Sequence, residues 1–216
     1  MVFLGPPGAG KGTQAAIIRD RYGIPHVSTG EIIRDAIAGG TPMGDKVRVV
    51  VESGKLVPDE MIGDIVAERL GREDARNGFL LDGFPRTIRQ AEILENVMSA
   101  RNEGLTAVIK LDVGDDQVVL RLSGRRVCAA CGALSHTEFS APKRQGVCDA
   151  CGGRLEQRRD DREEVIRRRL SVYHEQTEPL VAHYAALGLL RVIDGDRPCG
   201  EVTRDVLAAI EGGAAA

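Results

Sequence analysis

Residues 5–13 read Gly-Pro-Pro-Gly-Ala-Gly-Lys-Gly-Thr, between the apolar run Met1–Leu4 and a helix-forming stretch that ends near Gly23. A glycine-rich turn that closes a buried strand and opens a helix leaves few folds open. The glycines let backbone N–H groups turn inward on an anion, and the helix N-terminus adds its dipole. Lys11 supplies a mobile positive charge suited to terminal phosphates. The general pattern has Ser or Thr directly after the lysine; here Gly12 intervenes before Thr13. An ordinary glycine turn is the competing reading, but the position between strand and helix favours a phosphate loop. The motif alone names no reaction.

Beyond this loop, strands and helices alternate. Residues 24–29, 78–83, 106–113 and 189–194 read as strands, several of them apolar on both faces, as in a parallel sheet covered by helices. Two short helices, each stopped by glycine, are predicted over 30–40 and 43–54, and longer ones over 58–73, 87–104 and from Asp115. A long helix is predicted from Asp160 to Gly188, kinked or interrupted by Pro179. A last helix closes the chain, and the Ala/Gly tail after it is expected to fray. Only four residues precede Gly5, so the first strand is expected to be short.

Residues 128–157 break the alternation. Cys128, Cys131, Cys148 and Cys151 form two CxxC knuckles with sixteen residues between them. Paired knuckles at this spacing fit one tetrahedral zinc, and four thiolates leave no open position, so the site reads as structural. Free or disulfide-bonded cysteines are the competing reading. A segment of this size with few apolar residues cannot build a core, and the metal would replace one. Cys199 and His136 are not needed as ligands. His26, His174 and His183 show no partner pattern.

The totals narrow the function classes. With 216 residues and 43% hydrophobic residues, the chain suits one α/β domain with a small insertion. Aromatic residues make up 3%, so aliphatic side chains must fill the core. The formal net charge of −3 gives no global basic field for nucleic acid. Locally, residues 121–169 carry twelve Lys/Arg against seven Asp/Glu, a formal +5 that four thiolates and one zinc would lower by two. Phe139 is the only aromatic there apart from His136, too few to stack bases. No transmembrane span or signal peptide is evident, so cytoplasmic localisation without membrane partners is expected.

Four stretches in order resemble the adenylate kinase family of nucleoside monophosphate kinases, over nearly the whole chain. They are GPPGAGKGT, STGEIIR (28–34), DGFPRT (82–87), and GRRVC (124–128) with RRDDREEVIRRRL (158–170). With the four cysteines, the chain resembles the long, zinc-lid type. The resemblance implies a P-loop three-layer α/β fold. The core would be residues 1–27, 58–123 and 162–216, the AMP-binding segment 28–57, and the zinc lid 124–161. It implies the reaction ATP + AMP ⇌ 2 ADP with Mg2+, a structural Zn2+, and a monomer with no nucleic-acid partner.

The same resemblance implies roles. Lys11 and the backbone of Gly8, Ala9, Gly10, Gly12 and Thr13 would hold the donor phosphates. Arg34 and Arg86 would hold the AMP phosphate. Arg125, Arg158 and Arg169 would clamp the transferring group, and Asp82 would orient magnesium through water. Asp160 and Asp161, at the lid hinge, would pair with arginines on closure. Thr29, Lys55, Leu56, Val57, Gly83, Phe84, Pro85 and Gln90 match positions around AMP. Leu134, Ser135 and Arg197 match positions around the ATP base. Arg126, Arg159, Arg167 and Arg168 read as solvated surface. Glu31 stands where the family more often has Asp, and Ser135 where related lids often have tyrosine. The alternatives are a kinase for another monophosphate, a GTP-dependent AMP kinase, or a zinc-ribbon nucleic-acid-binding NTPase; Thr29 and Gln90 favour AMP.

Overall fold

A computed structural model describes residues 1–212 of the chain; the Ala/Gly tail over 213–216 lies outside the described residues. The core is a five-stranded parallel sheet in the order β2-β3-β1-β4-β8, built from β1 (Val2–Leu4), β2 (His26–Ser28), β3 (Leu80–Asp82), β4 (Val108–Asp112) and β8 (Leu190–Asp194). Successive strand residues face opposite sides. Val2, Leu4, Val27, Leu81 and Val108 join the apolar cluster on one face. Phe3, Leu80, Ile109, Leu111 and Ile193 join the cluster on the other. Both faces are buried, which is why these strands read as apolar runs and not as alternating ones.

Helices α1 (Lys11–Tyr22), α4 (Asp59–Leu70), α5 (Ile88–Ala100), α6 (Asp115–Ser123), α7 (Glu163–Val172), α8 (Pro179–Ala186) and α9 (Cys199–Glu211) surround the sheet. The strand predicted over 24–29 stops at Ser28, whose Oγ caps α2 (Thr29–Ala38) by accepting the Glu31 N–H at 3.3 Å. Helix α3 (Pro42–Glu52) packs against α2, and the two form a small helical flap. Their approach requires Gly44, where a Cβ would lie 2.1 Å from the Ala36 carbonyl oxygen.

The long helix predicted from Asp160 is four pieces. A 3-10 turn over Arg159–Asp161 comes first, and α7 starts only at Glu163. The Asp160 and Asp161 carboxylates are bound by arginines, which holds this stretch out of the helix. A π-helical turn, Tyr173–Thr177, then interrupts the run, and α8 begins at Pro179. At a first helical position the missing N–H of proline costs nothing.

Between α6 and the 3-10 turn, the chain forms a three-stranded antiparallel sheet, β6-β5-β7, from β5 (Arg125–Cys128), β6 (Leu134–His136) and β7 (Leu155–Glu156). Its apolar cluster is small: Cys128, Cys148 and Leu155, with Ala133 beside them. His136 anchors this unit to the core. Its Nδ1 accepts the N–H groups of Glu138 and Phe139 (3.0 and 3.1 Å), its Nε2 donates to the Leu120 carbonyl (3.3 Å), and its ring stacks on Phe139.

Candidate active site and metal centre

The phosphate loop leaves β1 at Gly5, whose φ of +133° and lack of a Cβ bring it against the Leu111 carbonyl; a Cβ there would sit 2.4 Å from that oxygen. The loop enters α1 through Gly10, the N-cap, also at positive φ. Lys11 Nζ donates to the Gly5 and Pro6 carbonyls, both at 2.7 Å. Burial pushes its pKa down to about 8; Asp82 opposes the shift, and Arg86, Arg169 and Arg125 reinforce it.

One cavity of about 870 Å³ runs from this loop to the α2–α3 flap and the base of the β5–β7 sheet. Lys11, Arg34, Arg86, Arg125, Arg158 and Arg169 all line it, with Asp82 and Asp160. Burial, with Arg169 as the strongest like-charge influence, lowers Arg86 to about 10. Burial, with Arg34 and Arg125, lowers Arg158 to about 10. Burial is the largest cause of all three shifts and like charges add to it, so a polyanion in the cavity would offset a cost these cations already carry. Arg86 is held by Nε donating to the Gly83 carbonyl at 2.7 Å, and its own carbonyl accepts from Thr177 Oγ1 at 2.8 Å. The π-helical turn thus props the Arg86 backbone from behind.

Carboxylates organise the arginines. Arg125 makes a two-pronged pair with Asp161 (2.8 and 2.6 Å), and Arg169 reaches Asp160 at 3.0 Å and Asp161 at 3.5 Å. Burial alone would raise Asp160, but Arg169, Arg125, Arg34 and Arg158 hold it below the usual carboxylate range. Asp82 ends β3. Burial works against its charge too, yet the approach of His26 Nε2 (3.4 Å) and the charge of Lys11 outweigh it and keep the pKa low.

The expected base contacts also meet this cavity. Toward the flap lie Thr29, Lys55, Leu56, Val57, Gly83, Pro85 and Gln90. Thr29 Oγ1 donates to the Gly83 carbonyl at 2.8 Å. Leu134 of β6 and Arg197 also line it, the latter set among Asp194, Glu201 and Asp205 of the core. Gly8, Ala9, Gly10, Gly12 and Thr13 of the phosphate loop line it as well.

Three expected residues do not line the cavity. The Phe84 ring is fully buried in the core cluster. Ser135 Oγ is buried without a hydrogen-bond partner; β6 alternates, so Leu134 faces the cavity and Ser135 does not. Asp161 is fully buried behind Arg125 and Arg169 and acts on them.

The site also uses residues that the sequence reading left out. Arg121 and Phe139 line the cavity. Arg121 lies in the last turn of α6, just before β5 begins at Arg125, and its Nη2 donates to the Gly195 carbonyl at 2.9 Å. The histidines have acidic partners: His26 with Asp82, His174 with Asp115 and Glu178, His183 with Glu95. The His174–Glu178 pair has the i,i+4 spacing of one helix face, whereas the other partners are 56 to 88 positions away and leave no local pattern. Cys199 is exposed at the start of α9 and lines the cavity mouth.

The four knuckle cysteines converge, their sulfurs all within 4.8 Å of one another. Cys128 and Cys151 sulfurs lie 3.5 Å apart, Cys131 and Cys148 sulfurs 3.7 Å. A tetrahedral zinc with bonds of about 2.3 Å has sulfur–sulfur edges of about 3.8 Å, so the donor set fits. Each knuckle closes alike: the Gly132 N–H donates to the Cys128 carbonyl (3.0 Å) and the Gly152 N–H to the Cys148 carbonyl (2.9 Å). The N–H groups of Cys131 and Ala130 stabilise the Cys128 thiolate, and its pKa falls to about 6.

Comparison with known proteins agrees with this geometry. The adenylate kinase family model matches residues 3–189. Similar proteins include an adenylate kinase of Geobacter sp. (strain M21), 52% identical over 97% of this chain and 98% of its own length. An adenylate kinase of Caldicellulosiruptor bescii is 48% identical over the same shares. One of Moorella thermoacetica is 54% identical over 91% of each chain.

Proposed function

The chain belongs to the adenylate kinase family, and from that premise we propose how its residues divide the work of the reaction. The enzyme is a phosphotransferase that interconverts ATP + AMP and 2 ADP. The observation that carries the assignment of roles is the convergence of Lys11 and five arginines on one cavity with Asp82. Its volume is near the upper end for ligand sites, as two nucleotides require.

Phosphoryl transfer asks for alignment and for neutralisation of charge. Lys11 and the loop N–H groups hold the donor phosphates. Arg34 and Arg86 hold the AMP phosphate. Arg125, Arg158 and Arg169 surround the phosphoryl in transit, with Asp160 and Asp161 fixing Arg125 and Arg169 in place. Thr29, Gln90 and the 55–57 backbone take the AMP base; Leu134 and Arg197, joined by Arg121 and Phe139, take the ATP base. Asp82, kept ionised, is suited to orient the water shell of the magnesium that accompanies ATP. The four thiolates hold one structural zinc. Residues 124–161 move as a lid, residues 28–57 as the AMP flap, and closure excludes water. The enzyme acts as a cytoplasmic monomer without nucleic-acid or membrane partners; among the described residues no helix is long and apolar enough to cross a membrane.

An acceptor panel tests this reading. With magnesium-ATP, ADP should form with AMP at two per AMP consumed, and far less with UMP, CMP or GMP. Efficient transfer to another monophosphate would remove Thr29 and Gln90 as adenine markers. No transfer from folded, zinc-loaded protein would sink the roles given to the arginines.

The Lys11 pKa makes a second expectation. A bound polyphosphate raises that pKa, so binding takes up a proton once pH exceeds the free value of about 8. ATP affinity should therefore carry no Lys11-linked slope below pH 8 and should fall above it, by up to about tenfold per pH unit. Titration calorimetry from pH 7 to 9 reads this directly. Lys11→Arg, which stays charged, should bind more weakly but lose the slope. A wild-type affinity flat to pH 9 would refute it.

A further inference from the structure

Gln90 is 2% exposed and lines the cavity on the flap side. A primary amide offers two acceptor positions on Oε1 and two donor positions on Nε2. Here one of each is already taken by protein. The Arg86 backbone N–H donates to Oε1 at 2.7 Å, and Nε2 donates to Asp59 Oδ1 at 2.8 Å. These partners dictate which way the amide points, since an N–H cannot donate to an NH2 group and a carboxylate cannot accept from a carbonyl.

What remains of Gln90 is one acceptor and one donor. The edge of a 6-aminopurine supplies their complements, a 6-amino donor and an N1 acceptor. A 6-oxopurine supplies the reverse, an O6 acceptor and an N1–H donor. To read it, the Gln90 amide would have to flip. Nε2 would then face the Arg86 N–H, and Oε1 would face the Asp59 carboxylate. Two like-against-like contacts in a buried site are a strong penalty.

We propose that Asp59 is a positioning residue for base selection: with the Arg86 N–H, it locks the Gln90 amide in the orientation that accepts 6-aminopurine monophosphates and refuses 6-oxopurine ones. This rests on the reading that Gln90 meets the AMP base. Asp59 itself opens α4, and its position 31 residues from Gln90 gives no hint of the pairing in sequence.

The test compares AMP with IMP, which differ only at the 6-position and N1. Acceptor kcat/KM is measured at saturating magnesium-ATP for wild type, Asp59→Ala, Asp59→Asn, Gln90→Leu and the Asp59→Ala/Gln90→Leu double variant. Asp59→Ala should cut the AMP-to-IMP ratio about tenfold, mainly through KM for the acceptor, with KM for ATP unchanged. Asp59→Asn keeps the side-chain shape but can meet either amide orientation, so it should also lose selectivity while melting like wild type. In the Gln90→Leu background, removing Asp59 should change the ratio no further. If Gln90→Leu collapses the ratio while both single Asp59 variants preserve it, the lock is wrong. An equal drop on removing Asp59 with or without Gln90 would overturn it as well. A ratio untouched by Gln90→Leu would overturn the reading of Gln90 and the lock with it.

Discussion

Lys11→Met should lower kcat by roughly 100- to 1,000-fold, the usual cost of removing one aimed charge donor from a transition state. Methionine matches the length and apolar stem of lysine, so the phosphate loop keeps its backbone donors. What is lost is the ammonium, which the fold holds between the Gly5 and Pro6 carbonyls at 2.7 Å from each. Burial and neighbouring arginines make that charge costly to keep before substrate arrives. A group held at such a cost marks a place where charge is needed during the reaction. Stopped-time assays with AMP and magnesium-ATP measure the loss. A variant within tenfold of wild type would mean that the arginines alone suffice. Lys11→Arg should not rescue the rate in full, because the wider planar guanidinium does not fit the same pair of carbonyls.

The second large effect is expected at the knuckles. Cys148→Ser should abolish stoichiometric zinc binding and lower the melting temperature by about 10 °C, since a structural zinc contributes several kcal/mol or more to the unit it folds. The reason lies in the lid's own packing. Among the described residues its apolar cluster is Cys128, Cys148 and Leu155 with Ala133 against them, and two of the three buried members are knuckle cysteines. Without metal there is no core to keep β5, β6 and β7 together. Arg125 begins β5 and Leu134 begins β6, so kcat should fall with the lid. Metal analysis of purified protein should give one zinc per chain. Protein purified without metal, and a Cys148→Ser variant that melts like wild type, would refute the assignment.

Much of this architecture could be read before any coordinates. The phosphate loop was legible because its requirements are local: positive-φ glycines, a strand before and a helix after. The four-cysteine cluster was legible for the same reason, since each CxxC turn forms within a few residues and the second pair only has to return. Strand positions followed from apolar runs, because a sheet buried on both faces needs them. Less was legible where one side chain answers another across the fold. The helix expected from Asp160 is delayed to Glu163, because Asp160 and Asp161 are held by Arg169 and Arg125. Phe84 was assigned to AMP by its place in a motif, yet its ring is fully buried in the core. Ser135 was expected at the ATP base, and its neighbours Leu134 and Phe139 line the cavity instead.

The chain's order of residues by itself determined the parallel α/β class, the phosphate loop and the four-cysteine knuckle pair, because hydrophobic periodicity, glycine conformations and cysteine spacing act over short stretches. Which of the many arginines face one another, which carboxylates hold them, and which way the Gln90 amide points were decided only by tertiary structure. Those outcomes depend on contacts between residues 36 positions apart for Arg125 and Asp161, and 31 apart for Gln90 and Asp59. At such separations, charge and hydrogen-bond complementarity are set by packing and leave no periodic trace in the chain.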